Sequence, residues 1–250
     1  MWKPNVSLLV LVLALSSPMV SAAADDSNTT RKYQSFSYAV YEPGISFMSD
    51  GALEIWFKTE KANAMIIYED TGGQGEFIDV FLVHGKARMR LAFADCSFKE
   101  RVINGSFNDR KWHKVKISQD GGNTTFAVDN LSASPVRCFT QLQPMVALYT
   151  GYLSLDVRDT TVKGTQWAFP SAYWESMQFG FQGCLSEIKY RVAGKVTTSP
   201  RLRATKSTRP ECTNPCAKFT CRHGGKCVDR ILKPWCDCEG TGYDGKRCGR

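Results

Sequence analysis

Ten cysteines are the residues with most chemistry to offer in this 250-residue chain, and six of them crowd into its last 35 positions. From Cys216 they recur after four, five, eight, one and nine intervening residues, at Cys221, Cys227, Cys236, Cys238 and Cys248. Thiols at this density either hold a metal or oxidise. A zinc site draws on CxxC pairs and histidines at fixed offsets, and no CxxC pair occurs here. Disulfides are the reading that remains, because so small a segment with so few apolar residues folds only if covalently stapled. Spacing alone leaves fifteen pairings open for the six. The total of ten is even, so no free thiol is required.

Acid–base or nucleophilic chemistry has little to build on. The histidines are His84 in a turn, His113 in a Trp-His pair on a strand, where it reads as a packing residue, and His223 among the clustered cysteines. No His-x-x-x-His, Gly-x-Ser-x-Gly or phosphate-cradling loop is present. Gly72-Gly73-Gln74-Gly75 joins two strands and opens no helix, so it reads as a turn. A glycan hydrolase needs two carboxylates roughly 5 to 10 Å apart. No spacing singles out such a pair, so the expectation is a non-enzymatic chain, with a secreted glycan hydrolase as the remote alternative.

Charge points to binding. The chain carries a net +8, and from Lys189 to Arg209 there are seven basic residues and no acidic one: Lys189, Arg191, Lys195, Arg201, Arg203, Lys206 and Arg209. Outside the cell a one-signed basic stretch suits polyanions, heparan sulphate first among them. The bland alternative is a solvated connector carrying Pro200 and Pro210. Nucleic acid belongs to another compartment.

That compartment is indicated at the other end of the chain. Lys3, an apolar run at 6–15 and the small residues Ser21-Ala22-Ala23-Ala24 read as a secretory signal peptide over 1–24. The run is too short for the roughly 20 residues of a spanning helix, and no second candidate span follows. The expected location is extracellular, as a secreted protein or the ectodomain piece of a longer membrane protein, and the stop at Arg250 hints at truncation. Sequons at Asn28, Asn104, Asn123 and Asn130 would then be open to glycosylation and face solvent.

The elements that must position these groups are strands. Alternating or β-rich runs occupy 52–58, 64–68, 77–83, 87–93, 112–118, 124–128, 145–149 and 184–190, punctuated at Gly72-Gly73, His84-Gly85, Asn108-Asp109 and Gly121-Gly122. Short strands at regular spacing argue for an all-β, antiparallel sandwich followed by a small disulfide-rich unit. The expected organisation is a signal peptide at 1–24, an amino-terminal segment at 25–37, a sandwich domain at 38–192, a basic linker at 193–211 and a cysteine-rich module at 212–250.

Two resemblances sharpen this reading. The tail, with its Gly224-Gly225 turn and the Gly-Tyr-Asp-Gly run at 242–245, resembles an EGF-like module. The series ALEIWFKTEKANAMIIYED, GEFIDVFLVHGKARMRLAF, NDRKWHKVKIS, NTTFAVDN and FQGCLSEIKY resembles a laminin G domain of concanavalin-like jelly-roll fold, in order and spacing. The acidic-glycine loop at 69–76, Cys96 at a strand end, the strand at 123–128 and the module order resemble the LNS version found in neurexins, above all the first one of an α-neurexin.

The resemblances imply particular chemistry. The EGF likeness implies Cys216 to Cys227, Cys221 to Cys236 and Cys238 to Cys248. The LNS likeness implies Cys184 to Cys212, which leaves Cys96 with Cys138. It also implies a weak calcium site on the rim, whose carboxylate position maps to Glu76 and whose carbonyl maps to Phe93, with a further carbonyl from Thr140 to Leu142. Glutamate stands where the family has aspartate, and Asp70 or Asp79 are alternative donors. No calcium is expected in the EGF-like module, which reads as a spacer. The function implied is neurexin-like adhesion or ligand binding to cell-surface or matrix partners through the rim loops at 69–76, 93–98 and 137–143. The alternative is a matrix or guidance component of the slit, agrin or perlecan kind that binds heparan sulphate or other acidic glycans.

Overall fold

The computed structural model describes residues 30–42, 44, 50–71, 76–93, 96–137, 147–153, 180–192 and 199–250. Its strands, in chain order, are β1 (Arg31–Tyr33), β2 (Tyr38–Glu42), β3 (Asp50–Thr59), β4 (Ala64–Asp70), β5 (Phe77–Val83), β6 (Lys86–Phe93), β7 (Cys96–Ile103), β8 (His113–Asp120) and β9 (Asn123–Val128). They continue as β10 (Leu131–Ser132), β11 (Val136–Arg137), β12 (Ala147–Thr150), β13 (Gly183–Val192), β14 (Arg201–Lys206), β15 (Arg209–Pro210), β16 (Lys226–Arg230) and β17 (Lys233–Asp237).

All pairings are antiparallel, and two large sheets form a sandwich. The first runs β10-β9-β8-β3-β13-β1-β15, with β11 also on β9; the second runs β14-β2-β12-β4-β5-β6-β7. Alternation sets the faces: in β8, His113, Val115, Ile117 and Gln119 are buried while the residues between them reach towards solvent. Val115 and Ile117 join Leu53, Ile55 and Phe57 of β3 and Ile66, Ile78 and Val80 of the opposite sheet in one core. Each such side chain contributes about 1.5–3 kcal/mol by leaving water.

Turn chemistry fixes the register. His84 and Gly85 both adopt positive φ, 49° and 76°, the requirement of a type I′ turn, and so pair Val83 with Lys86 and Asp79 with Arg90. Gly183 opens β13 where no other residue fits: a Cβ there would run into the Lys58 carbonyl oxygen.

At β4 and β5 the second sheet is covered on both faces. β4 is buried along its whole length, Ile66 and Ile67 facing the main core while Met65 and Tyr68 pack with Phe77, Ala92 and Leu153 in a second cluster. Simple alternation therefore fails here, helped by a bulge between Met65 and Ile67.

Two assignments made from sequence need correction. Arg31–Tyr33, placed in an amino-terminal segment, pairs with β13, and Arg201–Lys206, placed in a linker, is an edge strand on β2. A strand at an edge needs no inward alternation on both sides and is commonly blunted by charge; the three cations of RLRATK made this one read as solvated chain, and five of its six residues are exposed.

Candidate functional site

The rim reading rests on where β4, β5 and β6 end. Asp70 pairs with Phe77, and Phe77 with Ala92, so Glu76 and Phe93 stand one residue further along neighbouring strands. Thr71 donates its N–H to the Glu76 carbonyl at 3.3 Å, drawing the ends of the connecting loop together. Glu76 is 9% exposed and Asp70 3% exposed. Tyr68 donates its hydroxyl to Asp70 Oδ2 at 3.0 Å. Hard oxygen donors thus gather at this end of the sandwich, and a carboxylate and a carbonyl are donor types a calcium ion takes. Among the described residues no group of three or more His, Cys, Asp or Glu side chains converges. Thr140, Leu142 and Cys138 lie outside the described residues.

Asp79, weighed as an alternative calcium donor, is committed elsewhere. Arg90 holds both its oxygens, Nε to Oδ1 at 3.1 Å and Nη2 to Oδ2 at 2.6 Å. The guanidinium also lies 4.1 Å from the centre of the Phe81 ring. The pair is buried, at 5% and 1% side-chain exposure. Burial pushes the Asp79 carboxyl up from its ordinary value, and Arg90 only partly offsets that. Sequence reading missed the pair, although a two-residue hairpin at His84-Gly85 puts these positions opposite one another. It also missed Glu69, which is fully buried and accepts a bond from the Tyr190 hydroxyl at 3.4 Å. Burial, then the nearby Glu69, pushes the Tyr190 phenol well up.

His113 has the packing environment expected of it. Its ring lies 5.5 Å from Phe57 and 5.2 Å from Phe107, with Nδ1 2.8 Å from Asp129 and Nε2 3.0 Å from Asp109. Both nitrogens face carboxylates, an arrangement that orients the ring and closes off the His113 nitrogens.

The laminin G domain family model matches residues 57–192, more than half the chain. This chain belongs to the laminin G domain family. Among curated relatives, Neurexin-3a of Danio rerio is 28% identical over 199 residues, covering 78% of this chain and 11% of its own. Neurexin 1 of Drosophila melanogaster is 24% identical over 272 residues, covering 97% and 14%. The chain thus spans about a tenth to a seventh of the length of these relatives. Of solved structures, mouse laminin alpha1 domains LG4-5 align with a TM-score of 0.57 at 15% identity, over 73% of this chain and 46% of that one. The LG1-3 region of laminin alpha2 gives 0.56 at 17%, over 74% and 35%. These identities speak for the fold alone.

The basic residues of this laminin G domain do not form one surface. Lys189 and Arg191 lie on β13 and Arg209 on β15 in the first sheet, whereas Arg201, Arg203 and Lys206 lie on β14 in the second; Lys195 is outside the described residues. Two are partly neutralised, Lys189 by Glu187 at 3.0 Å and Arg203 by Glu42. Of the sequons, Asn104, Asn123 and Asn130 are exposed, and Asn28 lies outside the described residues.

Cysteine pairing ties the tail to the laminin G domain. Cys184, fully buried at the start of β13, is bonded to Cys212, their Cα atoms 6.0 Å apart. Within the tail Cys216 bonds Cys227, Cys221 bonds Cys236 and Cys238 bonds Cys248. Cys96 opens β7. A polar contact reinforces the junction: Lys58 of β3 reaches Asp229 of β16 at 2.8 Å. Nearby Lys32 has its pKa lowered by burial and by the charges of Arg209 and Lys58, against the pull of Asp229.

Proposed function

We propose that this chain is a non-enzymatic, extracellular ligand-binding unit of neurexin-like kind, which engages cell-surface or matrix proteins through the rim loops at 69–76, 93–98 and 137–143. In this reading residues 1–24 are a signal peptide and 212–250 an EGF-like module, with the disulfides fitting an oxidising compartment. The observation that carries it is the meeting of Glu76 and Phe93 at adjacent strand ends, beside the buried Asp70, in a chain of the laminin G family. Glu76 and the Phe93 carbonyl would hold a calcium ion, which would supply a fixed positive charge to organise the loops and meet a partner's carboxylates. Glu76, one methylene longer than aspartate, would bind from a strand end held by the backbone bond from Thr71.

The experiment is calorimetric titration of the purified chain with calcium to millimolar levels, alongside Glu76→Ala. Binding in the wild type that disappears in the variant supports the rim; absence of binding in both removes calcium from the reading. A second reading, a matrix component that binds heparan sulphate, is favoured by Arg201, Lys206 and Arg209, which are exposed on edge strands. Arg201→Gln/Lys206→Gln/Arg209→Gln would then elute earlier from heparin. A glycan hydrolase would require turnover of a glycan substrate lost on replacing a carboxylate pair.

A further inference from the structure

We propose that the C-terminal disulfide module is itself a binding element, with a groove that takes a sulphated polysaccharide; the proposal rests on the extracellular reading of the chain. Sequence reading treats this segment as a spacer. Residues 212–250 hold eight basic and four acidic side chains, and the fold gathers part of that excess. A hollow of about 590 Å³ is lined by Lys233, Trp235, Asp237 and Lys246 among others. A second, of about 480 Å³, is lined by Arg222, Asp244, Lys246, Arg247 and Arg250 with two glycines. They share Asp244, Gly245 and Lys246, so the two hollows adjoin at that turn.

The cations are held in place. The Arg222 N–H donates to the Arg247 carbonyl at 2.8 Å, which joins the two residues through their main chains. The Arg247 guanidinium lies 4.4 Å from the Phe219 ring centre. Arg222, Lys233, Lys246 and Arg247 are all exposed, and among the described residues none of the four is in an ion pair. On β14, by contrast, Arg203 is already met by Glu42. Trp235 is 43% exposed at the other end of the groove, with the Arg230 guanidinium 5.4 Å from its ring.

This mixture selects the ligand class. Unpaired arginines and lysines suit discrete sulphate and carboxylate groups through charge-assisted bonds. Asp237 and Asp244 would repel a uniformly anionic surface but accept hydrogen bonds from sugar hydroxyls, and an exposed indole offers an apolar platform to a sugar face. A lipid bilayer fits less well, since the strongly anionic leaflet faces the cytoplasm.

The test is calorimetry of the whole chain with a size-defined heparin oligosaccharide at about 0.15 M salt, where weak long-range attraction is screened. Arg222→Gln/Arg247→Gln is expected to weaken binding about tenfold or more, Lys246→Gln about threefold, and Trp235→Ala about threefold with net charge unchanged. Arg201→Gln/Lys206→Gln/Arg209→Gln, on the sandwich edges, is expected to change it less than about twofold. Peptide mapping of the three module disulfides checks that each variant is folded; for Trp235, the conservative Trp235→Phe is expected to restore most of the binding. Groove variants that bind like wild type overturn the proposal, and if the edge-strand variant then loses binding the glycan reading survives without the groove. Equal competition by polyglutamate, or equal binding to phosphatidylserine vesicles, also overturns it.

Discussion

Replacing Asp79 by alanine removes two hydrogen bonds from Arg90 and leaves a guanidinium charge in a place where its side chain is 5% exposed. Breaking a buried pair from one side costs about 3–5 kcal/mol. With a urea slope of about 2 kcal/mol per molar, the unfolding midpoint should fall by about 2 M. The double variant Asp79→Leu/Arg90→Met should behave differently. It deletes both charges, keeps the volume and retains an apolar contact with Phe81, so its stability should lie within about 1 kcal/mol of wild type or above it. The cycle is closed by Asp79→Leu and Arg90→Met alone; with each costing at least about 3 kcal/mol, the coupling is about 5 kcal/mol or more. Burial raises the folded-state carboxyl above its unfolded value, so the folded chain holds this proton more tightly, and the cost of ionisation is incurred as pH rises through the folded value. The double variant's advantage over wild type should therefore grow as pH rises above about 4. Urea titrations at several pH values read both effects. Single and double variants that are additive, with no coupling, would refute the reasoning.

Three other measurements bear on the scaffold. Loss of the Cys184–Cys212 bond in Cys184→Ala/Cys212→Ala, which closes a separation of 28 residues, should cost about 3.5 kcal/mol; an unchanged melting midpoint would contradict this. For Asp109, burial raises the carboxyl, but bonds from the Lys111 N–H, His113 and the Lys111 ammonium outweigh it and hold the group at about 2. Its contribution is full above its unfolded value near 3.9 and is lost as pH falls towards 2, so Asp109→Asn should flatten the acid limb of stability against pH. Gly183→Ala should destabilise by at least about 2 kcal/mol, because the new methyl meets a backbone oxygen that cannot yield like a side-chain tip; thermal unfolding checks it.

Strands that carry their own alternation were legible in the sequence, as β3, β8 and β9 show. β1, β7 and β14 were not, since RKY is three residues long, CSFKERVI carries charges through its middle and RLRATK is an edge strand. The candidate rim was readable only through family likeness, because nothing local distinguishes Glu76 from any acidic turn residue. Asp79, read as an alternative calcium donor, and Glu69, read as part of a rim loop, are both buried, and local sequence does not announce it: a carboxylate's burial depends on what the opposing strand or sheet brings. For Asp79 that partner was within reach, since the His84-Gly85 turn dictates it. For Glu69 it was not, because Tyr190 arrives from the other sheet, 121 positions away.

The bond from Cys184 to Cys212 has a mechanical consequence. Tension applied beyond residue 212 passes through the sulfur bridge straight into β13, which is hydrogen-bonded to β3 on one side and β1 on the other. The 27 residues between the two cysteines lie off that load path. β14 and β15, weakly held at the two sheet edges, are thereby spared from being peeled away. A pull on this chain would be resisted by sliding long neighbouring strands past one another, the stiffer direction of a sheet.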